Sequence, residues 1–192
     1  ETLGDMDVSL KPAALAGDDS PVQAVIDEVL NGISAAEGAV AEFVALLQPT
    51  SPFLLPQQID DCVAALADDP AAGSAQTVIE CPHNHHAVNK RILEDGRLQF
   101  RFPEDRRAAY NKQRKRTHYL SGNLVVFRTQ ACLRQASPFA EPSVPIVIEP
   151  VYGFDADGPE DFRMGALLIE NRLVALPHMA EAAAADAGRA VT

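Results

Sequence analysis

Two carboxylates set one residue apart, in Gly153-Phe154-Asp155-Ala156-Asp157-Gly158, are the groups of this chain best suited to a hard cation. In an extended backbone, side chains two positions apart project to the same side, so Asp155 and Asp157 can share one divalent ion with phosphate oxygens. The same four residues from Asp155 to Gly158 can instead make an Asx turn ahead of a helix holding Pro159 and Glu160 in its first turn.

A second polar knot follows the apolar run Phe43-Val44-Ala45-Leu46-Leu47, where Gln48, Pro49, Thr50, Ser51 and Pro52 stand together before Phe53. Locally this reads as a strand end whose Thr50 or Ser51 caps the next turn. In an open parallel sheet, however, ligands bind beyond the carboxyl ends of the strands, and an amide with two hydroxyls at such an end suits a polar small molecule.

Positive charge forms a third feature. Arg106, Arg107, Lys112, Arg114, Lys115 and Arg116 place six of the 16 Lys and Arg within 11 positions. Exposed hairpin rims carry such residues as a matter of course, yet concentrated cations on an acidic body also suit an anionic small ligand. The chain carries a net −11 with a pI near 4.8, and it lacks a ladder of aromatic residues, which argues against RNA and DNA as partners. Cys81, His83, His85 and His86 resemble zinc ligands only superficially, because no second ligand pair stands at zinc-site spacing; a polar loop is the expected reading.

The elements that must hold these groups read as an α/β alternation. Val22, Val25, Ile26, Val29 and Leu30 recur at helical spacing after Pro21, and Asn31-Gly32 is expected to close that helix. A short apolar segment over 41–48 reads as a strand covered on both faces, with a buried helix as the alternative; a helix with Ile59, Val63 and Leu66 on one face follows, stopped by Pro70 and Gly73, and then a second buried strand over 75–81. Strand, helix and strand in succession form a right-handed crossover unit and point to a mostly parallel sheet flanked by helices. Asp95-Gly96 marks a hairpin inserted into this pattern. Asn123 to Thr129 restores a strand, 143–154 is extended, and 159–173 forms a closing helix. The expected organisation is one α/β domain over 1–178 and an alanine-rich tail over 179–192.

At 192 residues and 47% hydrophobic content the chain is large enough for a real core. Its three cysteines, Cys62, Cys81 and Cys132, form no metal or redox motif and are read as free thiols. With no long apolar run and no basic, apolar leader, a soluble cytoplasmic protein without membrane contact is expected.

Four segments together resemble the cytidylyltransferases that activate nonulosonic acids, the CMP-sialic acid synthetases and their relatives. Leu46-Leu47-Gln48-Pro49-Thr50-Ser51-Pro52-Phe53 resembles the family's LLQPTSPL motif, and residues 9–21, LKPAALAGDDSP within them, its LRPAELA-SD-SP segment. Residues 111–127 resemble NRQ followed by NGAIYI, and residues 153–162 resemble DIDTPEDF. The resemblance implies a nucleotide-diphospho-sugar transferase-like α/β fold and Mg2+ dependence. It also implies transfer of a cytidylyl group from CTP to a 2-keto acid sugar with release of pyrophosphate. By position it assigns Asp155 and Asp157 to the metal and to catalysis, Gln48, Lys112 and Gln113 to the sugar, and Lys11 to the nucleotide. Lys112 stands where the family has an arginine, which keeps the charge but not the bidentate geometry, and Ser121 stands where it has asparagine. The family's glycine-rich CTP-binding loop has no counterpart in this sequence, so a non-catalytic relative that binds a sugar nucleotide or partners another subunit is the alternative. A homodimer is implied, with 134–150 as a candidate contact.

Overall fold

The computed structural model describes residues 10–17, 20–108 and 116–177. Helix α1 (Val22–Glu37) precedes strand β1 (Phe43–Leu47), helix α2 (Pro56–Asp68) and strand β2 (Ser74–Glu80). The hairpin strands β3 (Arg91–Glu94) and β4 (Arg97–Phe100) and the short helix α3 (Pro103–Ala108) come next. Strand β5 (Tyr119–Arg128), helix α4 (Thr129–Gln135), strand β6 (Ser143–Val147) and helix α5 (Pro159–Glu170) complete the order.

The main sheet runs β1-β5-β2-β6. β1, β2 and β6 share one direction, as an α/β sheet requires, and β2 pairs with β6 in parallel. The α2 crossover does not join neighbours, however, because β5 enters antiparallel between β1 and β2. The carboxyl ends of three strands and the start of β5 therefore lie along one edge. Leu47 pairs with Leu124 and Glu80 with Tyr119, so β2 and the first half of β5 project past the end of β1 as a two-stranded ribbon.

Alternation along β1 explains why its run is wholly apolar. Phe43 and Ala45 pack with Cys62, Leu66, Leu124 and Val126 on the α2 side, whereas Val44 and Leu46 pack with Ile26, Leu30, Phe127 and Cys132 on the side of α1 and α4. Arg128 fastens this assembly at its far end by pairing with Glu42, donating from Nε to the Ala72 carbonyl at 3.0 Å and lying over Phe43.

Two expectations are corrected. Helix α1 runs through Asn31-Gly32 and ends at Gly38, whose φ of 75° no side-chain-bearing residue adopts easily and whose N–H donates to the Ser34 carbonyl at 2.9 Å. The residues after Gly32 favour helix, and one exposed glycine costs only about 1 kcal/mol. Neither Thr50 nor Ser51 caps α2: its N-cap residue is Leu55, whose N–H donates to Gln58 Oε1 at 3.0 Å. Helices α3 and α4 were not expected from the sequence, being too short to show a period. The expected hairpin is present, with Asp95 and Gly96 both at positive φ between β3 and β4. The alanine-rich tail lies outside the described residues, and among those described no helix is long and apolar enough to cross a membrane.

Candidate functional site

Where β1 ends, the chain turns sharply: Ser51 N–H donates to the Gln48 carbonyl at 3.1 Å. The next carbonyl free to reach outward, that of Thr50, accepts the N–H of Ala156 at 2.8 Å. Phe53, fully buried, stacks on Phe154 with ring centroids 5.2 Å apart and planes 26° from parallel. The two polar motifs singled out in the sequence thus meet through a main-chain bond and an aromatic pair.

The segment from Phe154 to Asp157 is extended, not an Asx turn. Ala156 is buried and its two flanking aspartates are exposed. The turn into α5 is closed instead by Asp161, whose Oδ2 accepts from Gly158 N–H at 2.9 Å and from Asp157 N–H at 3.1 Å. Capping chemistry is therefore met without Asp155 or Asp157. Neither carboxylate has a hydrogen-bond or ionic partner among the described residues.

Behind this edge lies a buried polar network that the sequence reading did not find. Asn123, 4% exposed, donates from Nδ2 to Gln58 Oε1 at 2.8 Å and to the Tyr152 carbonyl at 2.9 Å, while its Oδ1 accepts from Thr77 Oγ1 at 3.0 Å. Since Leu55 N–H must donate, Gln58 presents its oxygen, and Asn123 must then present its amide nitrogen. One side chain links the start of α2, the middle of β2 and the turn that leads to Asp155. The only sequence signal was a polar residue opening an apolar strand.

The same network requires a glycine beside it. Between Gln76 and Val78 the β2–β5 register shifts, and Thr77 Oγ1 accepts from Asn123 N–H and from Leu124 N–H, both at 2.9 Å. A Cβ on Gly122 would lie 2.5 Å from that hydroxyl and 2.8 Å from the Thr77 carbonyl carbon. Next to this bulge, Gln48, Gln76, Ser121, Gly122, Asn123 and Phe139 help to line a concavity of about 210 Å³. Gln48 and Ser121, separated by most of the chain, share its wall.

Lys11 is placed elsewhere, in a groove along α1 with Val25, Val29 and Ile33. Lys112 and Gln113 lie outside the described residues, as do Arg114 and Lys115. Arg106 lies over Phe100 and donates to Asn89 Oδ1 at 2.7 Å. Among the described residues no group of three or more His, Cys, Asp and Glu is arranged to hold a metal. Two carboxylates are fewer than a full protein cage supplies; an ion such as Mg2+ takes one or two carboxylates and keeps water or phosphate oxygens in its other positions.

No family model matches the chain, and no curated protein matches it. Among solved structures it is similar to CMP:2-keto-3-deoxy-manno-octonic acid synthetase complexed with CTP, at a TM-score of 0.49 and 13% identity, over 81% of this chain and 70% of that one.

Proposed function

We propose that this chain forms the sugar-binding and metal-binding part of a cytidylyltransferase that transfers the cytidylyl group of CTP to a nonulosonic 2-keto acid sugar. The bond between Thr50 and Ala156 carries the reading, because it brings together the two motifs whose resemblance is most specific. Gln48 and Ser121 on one concave wall add support, since each falls in a resembling segment.

The sugar's anomeric hydroxyl oxygen forms a bond to the α-phosphorus of CTP, the bond from that phosphorus to the bridging β-phosphate oxygen breaks, and pyrophosphate leaves; the hydroxyl proton passes to solvent. Such a step depends on alignment and charge neutralisation and needs no covalent nucleophile. Asp155 and Asp157 would hold Mg2+, which would supply neutralisation of phosphate charge. Gln48 would orient the sugar through its amide, and by resemblance Lys112 is assigned to the sugar's carboxylate, Gln113 to the substrate and Lys11 to the nucleotide. In keeping with the family pattern, the protein works as a cytoplasmic homodimer.

The test is a pyrophosphate-release assay on the full gene product with CTP, Mg2+ and a panel of sialic, legionaminic, pseudaminic and deoxy-octulosonic acids. Turnover with one acid identifies the substrate. Absence of turnover across the panel sinks the catalytic reading and leaves a non-catalytic relative that binds a sugar nucleotide.

A further inference from the structure

Residues 83–118 contain ten of the 16 Lys and Arg and only four acids, Glu94, Asp95, Glu104 and Asp105, a net +6. The rest of the chain, with six cations and 23 acids, carries −17. The two ion pairs among the described residues, Arg128 with Glu42 and Arg163 with Glu160, both lie outside it.

At the foot of the segment, beyond the carboxyl end of β2, is a depression of about 330 Å³ lined by Arg116, His83, His86, His118, Cys81 and Glu80, among others. Its frame is built rather than incidental. His86 is buried, and its Nδ1 accepts from Val88 N–H at 3.3 Å, which obliges Nε2 to donate to the Arg116 carbonyl 2.9 Å away. His118 stacks on it, ring centroids 3.9 Å apart and planes 14° from parallel, and Cys81 N–H donates to the His118 carbonyl at 2.8 Å. The main chain of residues 116 and 118 is thus fixed, while Arg116 has no acidic partner among the described residues.

We propose that this depression is a binding site for a phosphate oxyanion, with Arg116 as its principal charge and His118 as a second donor. The Arg116 guanidinium and the His118 imidazole on a fixed backbone match the several acceptor oxygens of a phosphate group, and the surplus charge of the segment favours a polyanion over a lone carboxylate. Glu80 on the same rim opposes binding and sets the sign of one control. The site needs no turnover and stands independently of the proposed reaction.

Inorganic pyrophosphate is the probe, titrated calorimetrically into the 192-residue chain without Mg2+ at low ionic strength. Saturable binding at one site is expected, weakened about tenfold in Arg116→Gln, since a charge-assisted bond is lost, and strengthened in Glu80→Gln. Arg97→Gln, which removes the same charge at the far turn of the hairpin, should leave the affinity within about twofold. Equal weakening in Arg97→Gln and Arg116→Gln, or unsaturable binding, overturns the site in favour of a general field. Competition separates the sources: displacement by CTP but not by CMP marks a nucleotide triphosphate, whereas displacement by neither marks free pyrophosphate.

Discussion

The carbonyl of Thr50 and the N–H of Ala156 are joined at 2.8 Å, and Ala156 sits between the two exposed carboxylates Asp155 and Asp157. A single main-chain bond therefore fixes the separation between the polar turn after β1 and the acidic pair before α5. Neither partner's side chain is involved, which is why both motifs can keep their side chains for a ligand.

Because Asp155 and Asp157 are exposed and their carboxylates make no hydrogen bond or ion pair with the described residues, replacing either by Asn should leave unfolding free energy within about 0.5 kcal/mol of the parent. Pyrophosphate release should fall by about a hundredfold or more, since a charge that holds a cation against phosphate is lost. Thermal unfolding alongside the assay separates the two effects. Retained turnover in both variants removes the metal assignment.

Phe53 links the two motifs through packing, being fully buried against Phe154. Phe53→Ala should cost about 3–5 kcal/mol, the usual range for a large aromatic side chain removed from a core. Phe53→Leu should recover most of it. Denaturant unfolding measures both, and a loss below about 1 kcal/mol for the alanine variant is incompatible with the stack closing this edge.

Asn123→Ala takes the Nδ2 donor from the Tyr152 carbonyl and one of two partners from Gln58 Oε1, which keeps Leu55 N–H, while Thr77 Oγ1 can still donate to the Leu124 carbonyl at 3.2 Å. The expected destabilisation is about 1–3 kcal/mol for unsatisfied buried groups. Since the Tyr152 turn leads directly to Asp155, the variant should also need more Mg2+ for half-maximal turnover. A Mg2+ titration of the pyrophosphate assay checks this, and an unchanged midpoint limits Asn123 to a structural role.

How far the sequence reveals this arrangement depends on the range of the interactions. Strands β1 and β2 and helices α2 and α5 are legible because apolar periodicity and proline positions are local properties of each segment. The exposure of Asp155 and Asp157 on either side of the apolar Ala156 is legible for the same reason, since polar–apolar alternation is a local pattern. The insertion of β5 between β1 and β2 is set by long-range pairing, Leu47 with Leu124 and Ala75 with Val126, which no local pattern encodes. Asn123 is hidden likewise, since its three partners lie on α2, β2 and the turn before Asp155. The run past Asn31-Gly32 shows the converse, a strong local stop signal overridden by the helix-forming residues beyond it.

The cysteines give a prediction with a defined pH window. Cys62 is fully buried, and burial pushes its thiol up to about 11, with the neighbouring Asp61 carboxylate adding to the rise; burial also raises Cys132. An acid held protonated in the folded chain but free to ionise when unfolded favours the folded state only while both remain protonated. Below the ordinary thiol value of about 9 there is no difference in bound protons; between that value and 11 the unfolded chain releases a proton that Cys62 retains. Stability should therefore decline as pH rises from about 9 to 11, and Cys62→Ala should flatten that part of the profile in denaturant unfolding. Thiol labelling at pH 8 gives an independent check, since the half-buried Cys81 should react first and Cys62 and Cys132 only on unfolding. Simultaneous rapid labelling of all three thiols in the folded chain is the result that contradicts the buried placement.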